Sequence, residues 1–215
     1  MMTGKRLLLT SVFLGALLAS GSPGLDARAQ TAPAVAQDSG TLQRADADMR
    51  RVIEKLMKLG AKPIGTQSVE ETRRGPSPAD AVKAVLRDQG KDPAALMAAM
   101  GVKKQEMAYP TGGGMQAIRI YTPANASGPL PVIVNILGGG YVIADLDTYE
   151  SSAMAMAKKT GAIAASAEYR HAPEFRFPVA HDDTFNAYKW TPENAAKFGG
   201  DPKRVVIDVA IRPRS

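Results

Sequence analysis

Residues 131–141 read PVIVNILGGGY, and the fold class turns on them. The stretch 131–136 is apolar and rich in β-branched residues, which predicts a strand buried on both faces. It runs straight into Leu137-Gly138-Gly139-Gly140-Tyr141. Glycine carries no Cβ, so backbone N–H groups at the end of such a strand can point outward and be approached closely. Amides presented in this way suit the oxyanion that develops in acyl transfer. That chemistry also requires a nucleophile, a base and an acid.

Downstream of the loop, residues 149–159 predict a helix, and 161–167 (GAIAASA) a second buried strand. Residues 185–198 predict a helix that Pro192 can kink. A turn at Gly199-Gly200-Asp201-Pro202 then leads into an apolar strand at 204–207. Strand, helix, strand, helix, strand predicts a mostly parallel sheet flanked by helices. Upstream, strands at 105–109 and 115–121 flank Thr111-Gly112-Gly113-Gly114, a hairpin connection. No helix follows those glycines, so they are not a phosphate cradle.

The region before the strands is helical. Residues 46–59 place Met49, Val52, Ile53, Leu56 and Leu59 at helical spacing, and Gly60 and Pro63 end the helix. Residues 68–78 are polar and predict a loop. Ser77, Pro78 and Asp80 supply the cap, first position and dipole partner of a second helix containing Val82, Val85 and Leu86. Asp92-Pro93 starts a third, with Leu96, Met97 and Met100. Three helices ahead of the sheet predict an N-terminal cap-like segment, or a plain helical extension packed on the core.

The chain has 215 residues, of which 45% are hydrophobic, enough for one domain with a real core. Lys5 and Arg6 precede an apolar run at 7–18 that is short for a bilayer span, and Ala27-Arg28-Ala29 resembles a cleavage site. These residues predict a secretory signal peptide over 1–29, a mature chain starting near Gln30, and a flexible lead-in over 30–45. The expected location is the bacterial periplasm or the medium, with no stable membrane span after cleavage. There are no cysteines, which excludes a disulfide scaffold, a thiol nucleophile and a lipid-modified cysteine. The formal charge is +6; Lys5, Arg6 and Arg28 against Asp26 give the leader +2 and leave +4 for the rest. No basic run carries interleaved aromatics, so no nucleic-acid partner is expected.

Three pieces in order, PVIVNILGGGYVIADLDTYE, AEYRHAPEFRFPVAHDD and FGGDPKRVVI, closely resemble the α/β-hydrolase esterases and lipases of the hormone-sensitive-lipase type. The resemblance covers residues 130–207. It implies an α/β-hydrolase domain whose N-terminal part spans 102–207, preceded by the helical segment 46–101. It also implies hydrolysis of a small-molecule carboxylic ester through a serine acyl-enzyme, without metal or organic cofactor. Gly138 and Gly139 match the family's oxyanion-hole positions, with Leu137, Gly140 and Tyr141 as the supporting loop. The family reads His-Gly-Gly-Gly there. Leu137 stands in place of the histidine and cannot brace the loop through its side chain, and one oxyanion donor is worth about 3–4 kcal/mol.

The resemblance stops after Ile207. In the family such a strand leads to Gly-x-Ser-x-Gly, with the acid and histidine further on. Residues 208–215 read DVAIRPRS instead, an atypical tail, and no Gly-x-Ser-x-Gly occurs in the chain. The fold is therefore expected to be an incomplete α/β-hydrolase fold, truncated before the nucleophile elbow and inactive as given. No catalytic residue is assigned. His171 and His181 precede the elbow position. His181 and the adjacent Asp182 and Asp183 point in different directions on a helix, so they form no dyad. Ser166 lies within a strand and Ser215 is terminal. Two alternatives stay open: a non-catalytic periplasmic binding or interaction protein, or an enzyme completed by a separate chain.

Overall fold

The computed structural model describes Leu42 and residues 44–209. The expected signal peptide (1–29), nearly all of the lead-in (30–45) and the last six positions of the tail lie outside the described residues.

Helix α1 spans Ala47–Lys58, capped by the Asp46 carboxylate accepting from Met49 N. It packs on α3 (Pro78–Asp88), where Ser77 and Asp80 form the reciprocal capping box. Between them lies α2 (Val69–Arg74), also closed by a capping box, here between Ser68 and Glu71. The polar stretch 68–78 predicts a loop, and this helix corrects that expectation. The Ser-x-x-Glu spacing was its signal, and it was masked because α2 has no buried residue and hence no apolar period. Helix α4 (Pro93–Ala98) follows, with Asp92 as cap.

The sheet has five strands in the order β1-β2-β4-β3-β5: β1 Val102–Thr111, β2 Gly114–Pro123, β3 Leu130–Ile136, β4 Ile163–Ala167 and β5 Gly200–Val209. It is mixed, correcting the expectation of a mostly parallel sheet. β1 and β2 are antiparallel because a hairpin closing at Thr111↔Gly114 leaves no room for a crossover. β2 also runs antiparallel to β4, while β3 is parallel to both β4 and β5.

Helix α5 (Leu146–Thr160) joins β3 to β4, and α6 (Val179–Asn194) with a 3-10 turn at Ala195–Phe198 joins β4 to β5. α6 begins six residues before the helix expected from sequence. Its N-cap is Pro178, with no side-chain cap bond, so it carries no polar start signal. Pro192 lies in its last turn. The two helices cover opposite faces of the sheet. Strand alternation sends Ile163, Ala165 and Ala167 into the cluster with Ala180, Ala187 and Phe198. Ala164 goes to the other side, against Ala153, Met154 and Ala157 of α5. On that face Asn135 Nδ2 donates to the buried Ser166 Oγ at 2.9 Å.

The register brings the ends of the three parallel strands level: Ile136 lies beside Ala167 on one side and Val209 on the other. β5 continues two residues past the expected end at Ile207. Among the described residues its outer edge has no strand partner, and Val206 and Ile207 are 58% and 49% exposed. An open edge bearing apolar side chains invites pairing between molecules. The polypeptide of residues 1–215 is expected to associate as its concentration rises, with Val206→Lys shifting it toward smaller species in sedimentation velocity. A wild-type chain that stays monodisperse at every concentration would contradict this.

Candidate functional site

The glycine loop leaves β3 at the level where the parallel strands end, the side of such sheets on which ligands bind. Leu137 and Gly138 are buried, Gly139 is half-buried and Gly140 is exposed. Gly139 (φ +128°) and Gly140 (φ +63°) are left-handed, and so are two residues that bear a Cβ, Tyr141 (φ +62°) and Ala144 (φ +74°). The latter two cost about 1–2 kcal/mol each. The turn closes where Val142 N and Ile143 N both donate to Gly139 O at 3.1 Å. A Cβ on residue 139 would stand 1.8 Å from Ile143 O, so only glycine fits. Among the described residues, the amides of Gly138, Gly139 and Gly140 donate to no backbone or side-chain acceptor.

Leu137 offers no side-chain brace, as expected, yet the loop is held. Tyr169 Oη donates to Leu137 O at 2.9 Å, Ala172 N to Tyr141 O at 2.8 Å, and Arg73 Nε to Val142 O at 2.8 Å. The Tyr141 ring lies 5.8 Å from Tyr169 and 4.8 Å from the His181 ring. Sequence reasoning had identified neither Tyr169 nor Arg73. Tyr169 follows β4 and meets the loop only because β3 and β4 end together.

The segment after β4 is fixed in turn. Asp183, with no exposed surface, accepts from Arg170 N at 3.1 Å, Nε at 2.8 Å and Nη2 at 2.7 Å. Its neighbour His181 faces Phe177, 5.1 Å between rings. The two side chains diverge and make no dyad. His171 has a buried Nε2 with no hydrogen-bond partner among the described residues, 3.6 Å from a Glu168 carboxylate oxygen. Burial holds the His171 imidazole below the usual histidine range. It pushes the Glu168 carboxyl up, against the hydrogen bonds that group accepts from Tyr169 N and Leu146 N. Ser166 has its hydroxyl engaged by Asn135 inside the sheet. The structure therefore presents a loop whose glycine amides donate to no described protein acceptor, and Ser166, His171 and His181 make no hydrogen bond with one another.

No group of three or more His, Cys, Asp or Glu suited to a metal ion occurs among the described residues, and no described helix is long and apolar enough to cross a membrane.

A crossover-connected α/β sheet with a glycine loop at its carboxyl end defines the class, and comparison with known proteins narrows it. A family model described as alpha/beta hydrolase fold matches residues 133–208. Carboxylesterase NlhH of Mycobacterium tuberculosis is 37% identical over 128 residues, 60% of this chain and 40% of that protein. Versiconal hemiacetal acetate esterase of Dothistroma septosporum is 38% identical over 86 residues, 40% of this chain and 26% of that protein. The structure of a hyperthermophilic esterase from Pyrobaculum calidifontis superimposes with a TM-score of 0.60 at 26% identity, covering 75% of this chain and 48% of that one. The chain is thus related to the α/β-hydrolase-fold esterases and lipases, and it spans at most 40% of the length of these two curated relatives.

Two substitutions separate the constraints on the loop. Gly140→Ala has open space for its Cβ and meets only the left-handed backbone, so it is expected to cost about 1 kcal/mol. Gly139→Ala meets the Ile143 carbonyl as well and is expected to cost about 2–3 kcal/mol in urea unfolding. Tyr169→Phe, which leaves Leu137 O without its donor, is expected to cost about 1–2 kcal/mol.

Proposed function

We propose that this chain carries the anion-stabilising part of a carboxylic-ester hydrolase, with the Gly138 and Gly139 amides as oxyanion donors and Leu137, Gly140 and Tyr141 as the supporting loop. The observation that carries the proposal is the left-handed glycine turn at the carboxyl end of β3, its amides without a described acceptor. Relatives named as esterases support the substrate class. The reaction would follow the serine acyl-enzyme course, in which the tetrahedral intermediate places its negative oxygen against two backbone N–H groups.

The polypeptide of residues 1–215 by itself does not turn esters over. Its sequence contains no Gly-x-Ser-x-Gly. His171 is half-buried beside Glu168, His181 lies tilted against the Tyr141 ring, and Ser166 is bonded within the sheet. The leader over residues 1–29 directs export, with cleavage before Gln30. The open edge of β5 favours a second reading, a protein that adds a partner's strand there.

The donor assignment is tested by titrating the 15N-labelled chain with acetate, an oxygen anion of the product class. The Gly138 and Gly139 amide resonances are expected to shift ahead of all others, and an unmoved pair would remove the assignment. With p-nitrophenyl acetate or butyrate the 215-residue chain is expected to match the buffer rate and to take up no fluorophosphonate. Turnover above buffer that disappears in Gly139→Ala would overturn the inactivity.

A further inference from the structure

We infer that Arg73 is the positioning residue of the glycine loop, which makes the short helix α2 a working part of the site. Its significance for catalysis rests on the ester-hydrolase proposal; its test does not.

The guanidinium spends four hydrogen bonds on two segments distant in sequence. Nε donates to Val142 O at 2.8 Å, and Nη2 to Ala172 O at 2.8 Å. Nη1 and Nη2 also reach the two Glu174 carboxylate oxygens at 2.7 and 3.0 Å. Ala172 in turn donates its N–H to Tyr141 O, so one side chain closes a ring joining the loop to the segment after β4. The fixed fork of donors suits this: a single ammonium cannot serve two carbonyls and a bidentate carboxylate at once.

The contacts fall where the loop has most need of them. Tyr141 and Ala144 are left-handed despite carrying a Cβ, and Val142, held by Arg73, lies between them. The helix reaches the rest of the molecule through no other described side-chain hydrogen bond. α2 has six residues, none buried, and apart from Arg73 its side-chain hydrogen bonds stay within residues 68–74 among the described residues. A helix this short does not persist alone in water. The coupling is therefore mutual: α2 holds the loop's shape, and the loop's carbonyls hold α2.

The test is amide hydrogen exchange of the full chain and three variants. Arg73→Ala is expected to speed exchange at Val142, Ile143 and Ala172 by roughly tenfold or more, while Val134 and Ala165 in the sheet stay unchanged. Arg73→Lys is expected to restore only part of the protection. Glu174→Gln, which keeps both carbonyl contacts, is expected to fall nearer wild type. Unchanged loop exchange in Arg73→Ala would overturn the inference, and so would a parallel rise in loop and sheet, the mark of a merely stabilising residue. If Arg73→Ala does not fold, Arg73→Lys decides by the same comparison. Acetate separates the two proposals. A wild-type chain whose Gly138 and Gly139 amides ignore acetate, with a loop that still loosens in Arg73→Ala, would end the oxyanion assignment and leave Arg73 in its role.

Discussion

A Cβ at position 139 would collide with the carbonyl of Ile143, and the rest of the site is arranged around that closeness. The chain leaving β3 must reverse within a few residues to begin α5 at Leu146. It does so through consecutive left-handed residues, a shape that only glycine takes at no steric cost. Where the turn passes to Tyr141 and Ala144, side chains occupy conformations that they avoid on their own. Such a loop keeps its form only if its surroundings over-determine it.

Those surroundings come from three places. β4 ends beside β3, so Tyr169 lies under Leu137 and Ala172 reaches Tyr141. The segment carrying both is anchored by the Arg170–Asp183 pair, in which a fully buried carboxylate is matched by three donors. Removing one partner of such a pair strands a charge in a dry interior, so the segment is fixed firmly. The N-terminal helices contribute Arg73, far away in sequence and within 3 Å in space. A loop that lacks histidine at its first position thus keeps its shape through a tyrosine hydroxyl, a backbone amide and a guanidinium.

Much of this was legible from residues alone. The apolar spacing over 46–59, the Ser77 cap and the Asp92-Pro93 start announce three helices, because such signals are complete within a few residues. The buried strands β3 and β4 and the β1–β2 hairpin are equally local, as are the glycines of the loop. What was missed, α2 and the first six residues of α6, shares one property, the lack of a local signature strong enough to outweigh composition. α2 buries nothing, and α6 starts behind an uncapped proline. The mixed character of the sheet was missed because the side on which β2 joins β4 is a long-range choice.

The sequence by itself determined where the glycine turn had to be, which strands would be buried, and that no Gly-x-Ser-x-Gly lies within these residues, since each follows from residue type and spacing. Only the tertiary structure decided that Glu168 and His171 come to lie half-buried side by side, that Tyr169 holds Leu137, and that Arg73 belongs to the loop. Those outcomes depend on strand register and on contacts between segments far apart in the chain. Such contacts form only when the whole sheet closes, and no local preference encodes them.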